Sequence, residues 1–221
     1  MNIFLKKAEA VLAAVLIAAA LSSCGGKNSV KSSANDQNMV GGSLGGDVNI
    51  KPDEMPYGAS MTRLNKDKGG VPINIEYDHN FLTEDEGKAV SNYISVINKK
   101  DADLFNEISF GPVKGEILSL GNVANAEEYV TGLYNSVKTY AGDNFDMSML
   151  IVNSAENTGA DVLDDMVQKN APDAKVTDKK LVTVDIYYDT PEASNQSLYK
   201  KMGSYFQLYI YTIDGKPYIM A

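Results

Sequence analysis

Few side chains in this sequence could do chemistry, and their types narrow what that chemistry could be. His79, in Tyr77-Asp78-His79-Asn80, is the only histidine. An imidazole titrates near neutrality, so His79 is the one candidate for a general base there. It stands alone ahead of a helix start and reads more simply as a surface loop residue, since no partner is placed for it. Zinc needs more nitrogen and sulfur ligands than one His and one Cys supply. Asp161, Asp164 and Asp165 lie close together, but without the Asp-x-Asp-x-Asp-Gly spacing of a calcium loop. On a helix Asp161 and Asp165 share a face, which reads as solvated surface. There is no Gly-x-Ser-x-Gly elbow and no glycine loop between a strand and a helix that could cradle phosphate. Neither a metal nor an organic cofactor is therefore expected. The tyrosines say more. Tyr205, Tyr209 and Tyr211 alternate with Phe206, Leu208 and Ile210, which places them on one face of a strand. On a half-exposed sheet such rings offer flat apolar area with a polar tip, suited to stacking on a sugar or docking a partner. The alternative is that helices cover them, or that they only favour strand. These three are the binding candidates, and His79 is the sole catalytic one.

Cys24, the only cysteine, closes Leu21-Ser22-Ser23-Cys24 behind an apolar run. Lys6 and Lys7 precede that run, and their charge holds the N-terminus on the cytoplasmic side. Ala10 to Leu21 is almost wholly Ala, Val, Leu and Ile, too short to span a bilayer but right for the apolar region of a signal peptide. Together these residues resemble the signal peptide and lipobox of bacterial lipoproteins. The resemblance implies a signal peptide over 1–23, cleavage before Cys24, thioether lipidation of its thiol and usually acylation of the new amino group. The partner there would be the lipid bilayer, held by more than one acyl chain for stable anchoring. The expected location is the extracytoplasmic face of a cell membrane, with the outer membrane open where a cell has two.

The formal net charge is −9 and falls one unit further once Lys6, Lys7 and Glu9 are removed. With Arg63 the one arginine, nucleic acid is a poor partner, since it calls for clustered Lys and Arg. The acidity fits solubility at a surface. With Cys24 in the anchor, no disulfide can form within the mature chain, and there is no cysteine nucleophile. A hydrophobic core must supply the stability.

From Gly25 to about Asp53 the chain is mostly Gly, Ser, Asn, Asp and Lys. Such a composition buries too little to offset the entropy of ordering, so 24–54 is expected to be a tether. A single domain would fill 55–221, opening with a hairpin in 55–77 whose strands, Ser60 to Leu64 and Val71 to Tyr77, flank the turn-rich Asn65 to Gly70. Thr83-Glu84-Asp85-Glu86 has capping-box form and opens a helix with Val90, Tyr93, Ile94 and Ile97 on one face. Asp101 can cap a second, short helix. Gly111 to Val123 is punctuated by glycine and predicted as loop or short strand. A third helix runs from about Ala126. Phe145, Met147, Met149 and Ile151 then alternate as a strand. Ala160 to Lys169 is predicted as a helix with Val162, Leu163, Met166 and Val167 inward. Leu181 to Tyr188 and Tyr205 to Ile213 are strands, and Asp214-Gly215 is a hairpin turn into Lys216 to Met220.

Helices followed by antiparallel strands indicate an α+β fold. The long first helix ending in Asn98-Lys99-Lys100-Asp101, the short helix after it, and the closing hairpin Tyr209 to Ile219 around Asp214-Gly215-Lys216 resemble the NTF2-like, or cystatin-like, superfamily. The resemblance covers about Asp78 to Ala221, with Pro217 standing where such chains often carry Trp. It implies a curved antiparallel sheet wrapping a helix into a cone whose mouth, in some relatives, is a ligand or active site. The N-terminal hairpin and the Ala160 to Lys169 helix would be additions. The expected function is a non-catalytic binding module for a cell-envelope protein or glycan. The alternative is a small enzyme of isomerase, dehydratase or hydrolase type, using the cone with His79 or a carboxylate as base.

Overall fold

A computed structural model describes residues 60–221. The signal peptide expected over 1–23, Cys24 and the tether lie outside the described residues. In chain order come β1 (Met61–Leu64), β2 (Asn74–Asp78), α1 (Glu84–Lys99), α2 (Ala102–Ile108), α3 (Gly111–Leu120), α4 (Ala126–Ala141) and β3 (Asp146–Glu156). A 3-10 turn (Ala160–Leu163) then leads into α5 (Asp164–Asn170), followed by β4 (Val176–Asp189), β5 (Gln196–Ser197), α6 (Leu198–Met202), β6 (Phe206–Ile213) and β7 (Lys216–Met220). The fold is α+β. Its seven-stranded sheet runs β1-β2-β3-β4-β6-β7, with β5 paired to β4.

The sheet is mixed, which corrects the expectation of a wholly antiparallel one. β2 lies parallel to β3, with Asn74 opposite Met149 and Glu76 opposite Ile151, while every other pairing is antiparallel. The reason is connectivity. The chain leaves β2, builds α1 to α4, and returns as β3, and a parallel pair needs a long crossover of this kind.

Side chains set the helix starts. Thr83 Oγ1 accepts from the Glu86 amide (3.3 Å), and Glu86 Oε2 accepts in return from the Thr83 amide (2.8 Å). Asp101 accepts from the Leu104 amide (2.9 Å) and Asn125 from that of Glu128 (2.9 Å). Gly111 to Val123, expected as loop or strand, is mostly the helix α3. Its Gly111-Pro112 start misleads. Proline in the first helical turn forfeits no hydrogen bond, so the pair opens a helix.

The inner face of the sheet carries Ile75 and Tyr77 from β2, Leu150 and Val152 from β3, Val182, Val184, Ile186 and Tyr188 from β4, and Leu208 and Ile210 from β6, all buried. They pack with Val90, Tyr93, Ile94 and Ile97 of α1, Phe105 of α2, and Tyr129, Val130, Leu133 and Val137 of α4. Each such side chain contributes about 1.5–3 kcal/mol of burial. In β3 the alternating set Phe145, Met147, Met149, Ile151 keeps to one face only as far as Met147. The register jumps there, with Met147 opposite Tyr188 and Met149 opposite Tyr187. Ser148 is the extra residue, and one extra residue reverses which side chains point inward. Leu150 and Val152 therefore enter the core, while Met149 and Ile151 move to the outer face.

A second cluster covers part of that outer face. Val113 of α3 and Met166 and Val167 of α5 pack with Tyr209, Tyr211 and Ile213 of β6 and Met220 of β7. β6 is thus buried on both sides. Val162, expected inward, is 57% exposed, because Ala160–Leu163 winds as a 3-10 turn and loses the α-helical spacing that would align it with Met166.

Candidate functional site

The sequence candidates separate once folded. Tyr209 and Tyr211 do not form an open face with Tyr205. They are buried because α3 and α5 cross the outer face there. The Tyr211 hydroxyl accepts from the Leu163 amide (3.2 Å) and shares its proton between the Ala160 carbonyl (2.6 Å) and Asp164 Oδ1 (3.0 Å). Burial, followed by the Asp164 carboxylate, pushes its pKa well above the ordinary tyrosine value. Asp164 is also bonded to Lys179 Nζ. Tyr211 therefore pins the 3-10 turn and α5 onto the sheet, and Tyr209 is core. Of the three binding candidates only Tyr205 stays at the surface, 38% exposed.

His79 is exposed in the turn after β2, where its main-chain N–H donates to the Ser60 carbonyl (3.0 Å). Asp78, beside it, already accepts from Ser60 Oγ (2.7 Å) and the Asn80 amide (2.8 Å). Among the described residues the His79 imidazole makes no side-chain hydrogen bond to a carboxylate or a tyrosine. Among the described residues no group of three or more His, Cys, Asp or Glu converges on a point where a metal ion could sit. In the interior the Tyr93 and Tyr129 hydroxyls both donate to the Ala221 carbonyl oxygen. Burial raises both pKa values, that of Tyr129 to about 12. Those phenols stay protonated at neutral pH and are held by main chain.

Two concave features lie elsewhere. A cleft of about 620 Å³ between α5 and the start of β4 is lined by Asp164, Asp165, Gln168, Val176, Asp178 and Lys179 among others. A smaller groove of about 370 Å³ runs between α1, α2 and the closing hairpin, past Lys88, Asn92, Glu107 and Pro217. In the cleft Lys179 is tied to Asp164, and in the groove Lys88 is tied to Glu84 (2.6 Å).

The surviving tyrosine has a partner that sequence periodicity did not supply. Tyr199 of α6 stacks on Tyr205, with ring centroids 4.3 Å apart and planes 13° from parallel. Both rings are 38% exposed. The elements beneath explain the placement. β5 pairs with the end of β4, Ser197 opposite Tyr187. Ser197 caps α6 by accepting from the Lys200 amide (3.3 Å). Gly203, at φ 76°, ends that helix in a left-handed conformation that favours glycine, and the chain turns back so that Tyr205 lies over Tyr199. Asp185 of β4, 7% exposed, sits below. Its carboxylate accepts from Ser197 Oγ at both oxygens (3.0 and 2.9 Å) and from the Tyr199 amide (3.3 Å). Tyr187, on the same face as Asp185, is half-buried, and burial followed by the Asp185 charge raises its pKa. Gln207 lies on this face too, its Oε1 buried and without a hydrogen-bond partner among the described residues.

This arrangement holds an aromatic surface in place. Asp185, Ser197 and Tyr199 were not candidates in the sequence. An acid amid the apolar run Leu181 to Tyr188, and a Ser three residues ahead of Lys200, were the signals that could have found two of them.

The chain matches no protein-family model, no curated protein and no solved structure.

Proposed function

We propose that this protein is a lipid-anchored, extracytoplasmic binding module. Cys24, acylated, holds it to the bilayer, 24–54 serves as tether, and the domain that follows is of the NTF2-like type. The long capped helix α1, the short α2 and the closing Asp214-Gly215 hairpin support that assignment. The binding surface is the shelf formed by Tyr199 and Tyr205. One observation carries this reading: two parallel rings in contact, each 38% exposed, on a segment anchored from below. Two tyrosine rings held in contact from below offer apolar area with hydrogen-bonding tips, the form that a contact surface uses. The enzyme reading draws no such support, since His79 is solvated and the buried phenols are held by main chain.

The test is binding of the detergent-solubilised full chain to isolated cell envelopes freed of lipid, where the anchor cannot insert, compared with Tyr199→Ala and Tyr205→Ala. Each variant should bind at least about tenfold more weakly, equivalent to about 1.4 kcal/mol. Unchanged binding by both would overturn the shelf. Mass spectrometry of the native N-terminus checks the anchor, which fails if Cys24 is unmodified in the membrane fraction.

A further inference from the structure

We infer that the Tyr199–Tyr205 shelf takes a carbohydrate ring, and that Asp185 is the positioning residue that sets the shelf for it. The inference rests on the binding-module reading and names its ligand and its positioning group.

Area decides between a glycan and a protein. A tyrosine can bury about 150–250 Å². At 38% exposure the two rings together offer on the order of 100–200 Å². A stable protein interface takes about 800 Å² from each partner, of which roughly 55–60% is apolar, still more than twice what these two residues offer. The other exposed apolar side chains do not extend the patch along its segment: Met61 is on β1, Leu120 ends α3, Val162 is in the 3-10 turn and Val176 begins β4. Around the rings the chain is polar instead, with Asn195, Lys200 and Lys201 exposed. In the stack each ring covers one face of the other, so the area left is small, ring face and ring edge beside hydrogen-bonding groups, and it suits a ligand with an apolar ring face and an edge of hydroxyls. A sugar has that form.

Asp185 supplies the rigidity. α6 has five residues, too few to hold itself as a helix, and β5 has two. Tyr199, exposed on one side, cannot be fixed by packing alone. A carboxylate that is 7% exposed is costly unless hydrogen-bonded. The donors it gathers, the Ser197 hydroxyl and the Tyr199 amide, belong to the segment that carries the ring. The same hydroxyl accepts from the Lys200 amide, so one chain of bonds runs from the sheet through Ser197 into α6. A ring held in advance loses little freedom on binding, which is how a small contact area can be enough.

The experiment uses the full chain in detergent and isolated envelopes freed of lipid, so that the acyl chains of Cys24 have no bilayer to enter, in two treatments. In one the envelopes are digested with protease; in the other the digested envelopes are oxidised with periodate, which cleaves vicinal diols. Binding that survives protease and is lost on periodate is the expected result. Binding lost on protease, or kept after periodate, would overturn the carbohydrate while leaving the binding module intact. Absence of binding to untreated envelopes would sink both.

Asp185 is tested separately. The near-ultraviolet circular dichroism contributed by the stack is defined as wild type minus Tyr199→Leu. Asp185→Ala and Ser197→Ala should lose most of that signal and at least tenfold of the binding, with far-ultraviolet spectra unchanged. Ser197→Thr, which keeps the hydroxyl, should restore both. A full stack signal in folded Asp185→Ala would overturn the positioning role whatever the ligand. Hydrogen exchange on the wild type gives an answer that needs no variant. The Tyr199 amide should be protected, and exchange at the rate of a free amide would equally overturn the role.

Discussion

The Ser91 hydroxyl accepts from the Ile73 amide (3.1 Å) and donates to the Ile73 carbonyl (2.7 Å). One side chain of α1 thus satisfies both main-chain polar groups of a buried residue just ahead of β2, and stitches the helix to the N-terminal hairpin. One turn later Ser95 is equally buried, yet its Oγ has no partner among the described residues. The same substitution should therefore act with opposite signs. Ser91→Ala leaves two buried groups unpaired and should cost about 1–3 kcal/mol. Ser95→Ala removes an orphan hydroxyl and improves helix propensity, for a gain of about 0.5–1 kcal/mol. Urea denaturation of the two variants checks both signs, and a loss of stability in Ser95→Ala would show that its hydroxyl is in use.

Gly87 lies inside α1, where glycine normally costs up to about 1 kcal/mol against alanine. Here a Cβ would stand 2.9 Å from Cε1 of Tyr77, a ring only 1% exposed. Strand and helix approach too closely at this point for any side chain. Gly87→Ala should destabilise by about 1–3 kcal/mol in spite of its better propensity. Tyr77→Leu shortens the obstructing ring, so the double variant should be less destabilised than the sum of the singles by at least about 0.5 kcal/mol. Simple additivity would remove the steric explanation.

Those local relationships mark what a sequence can show. Thr83 to Glu86, Asp101 and Asp214-Gly215 act through neighbours within a few residues, and the capping box, the second helix and the last hairpin follow from them. The turn needs positive φ at both positions, and Asp214 and Gly215 have it (51° and 80°). The bulge at Ser148 leaves no comparable trace, because an extra residue is defined only against the opposite strand. The same holds for the site. Alternation put Tyr205, Tyr209 and Tyr211 on one face, but whether that face is open depends on where α3 and α5 land. Asp185, Ser197 and Tyr199 meet only because β5 folds back on β4. Of the proposed shelf, alternation points to Tyr205 alone, and Tyr199 and the support beneath it emerge only in the fold.

Lys180 of β4 crosses to the start of α1, where its Nζ lies 2.8 Å from both carboxylate oxygens of Glu86 and 3.1 Å from Asp178. Glu86 is 4% exposed and Lys180 15%. Burial by itself would lower the Lys180 pKa, but the hydrogen bonds to Glu86 and Asp178 outweigh it and the net shift is upward. A folded-state pKa above the unfolded one gives stability that is fully present below about 10.5, the ordinary lysine value, and is lost as pH rises through the higher folded value. Lys180→Met should cost about 3 kcal/mol at neutral pH, because Glu86 is left buried without its cation. The gap between variant and wild type should close in strong alkali. Chemical denaturation at neutral pH and above pH 10 measures it, and a gap that stays constant would mean the pair contributes no pH-dependent stability.

Tyr205 stands just ahead of β6 and Tyr211 within it, and the fold gives them opposite roles that two substitutions can separate. Tyr211→Phe keeps the ring but removes a buried hydroxyl with three partners, including the Leu163 amide, which would be left without an acceptor. It should lower stability by about 1–3 kcal/mol and leave envelope binding unchanged. Tyr205→Ala removes a ring from the surface, so stability should move by less than about 1 kcal/mol while binding falls. The acid limb gives a further check. Hydrogen bonds from Lys179 and, after it, Tyr211 hold the Asp164 pKa below its usual 3.8, against the opposing effect of burial. A depressed folded pKa contributes stability above the unfolded value and loses it as pH falls through the folded one. Wild type should therefore lose stability below about pH 4 faster than Asp164→Asn does, and Tyr211→Phe should soften the same limb. Were Tyr211→Phe instead to abolish binding in a protein of normal stability, the buried hydroxyl would have to reach a ligand, and the division between pin and shelf would be wrong.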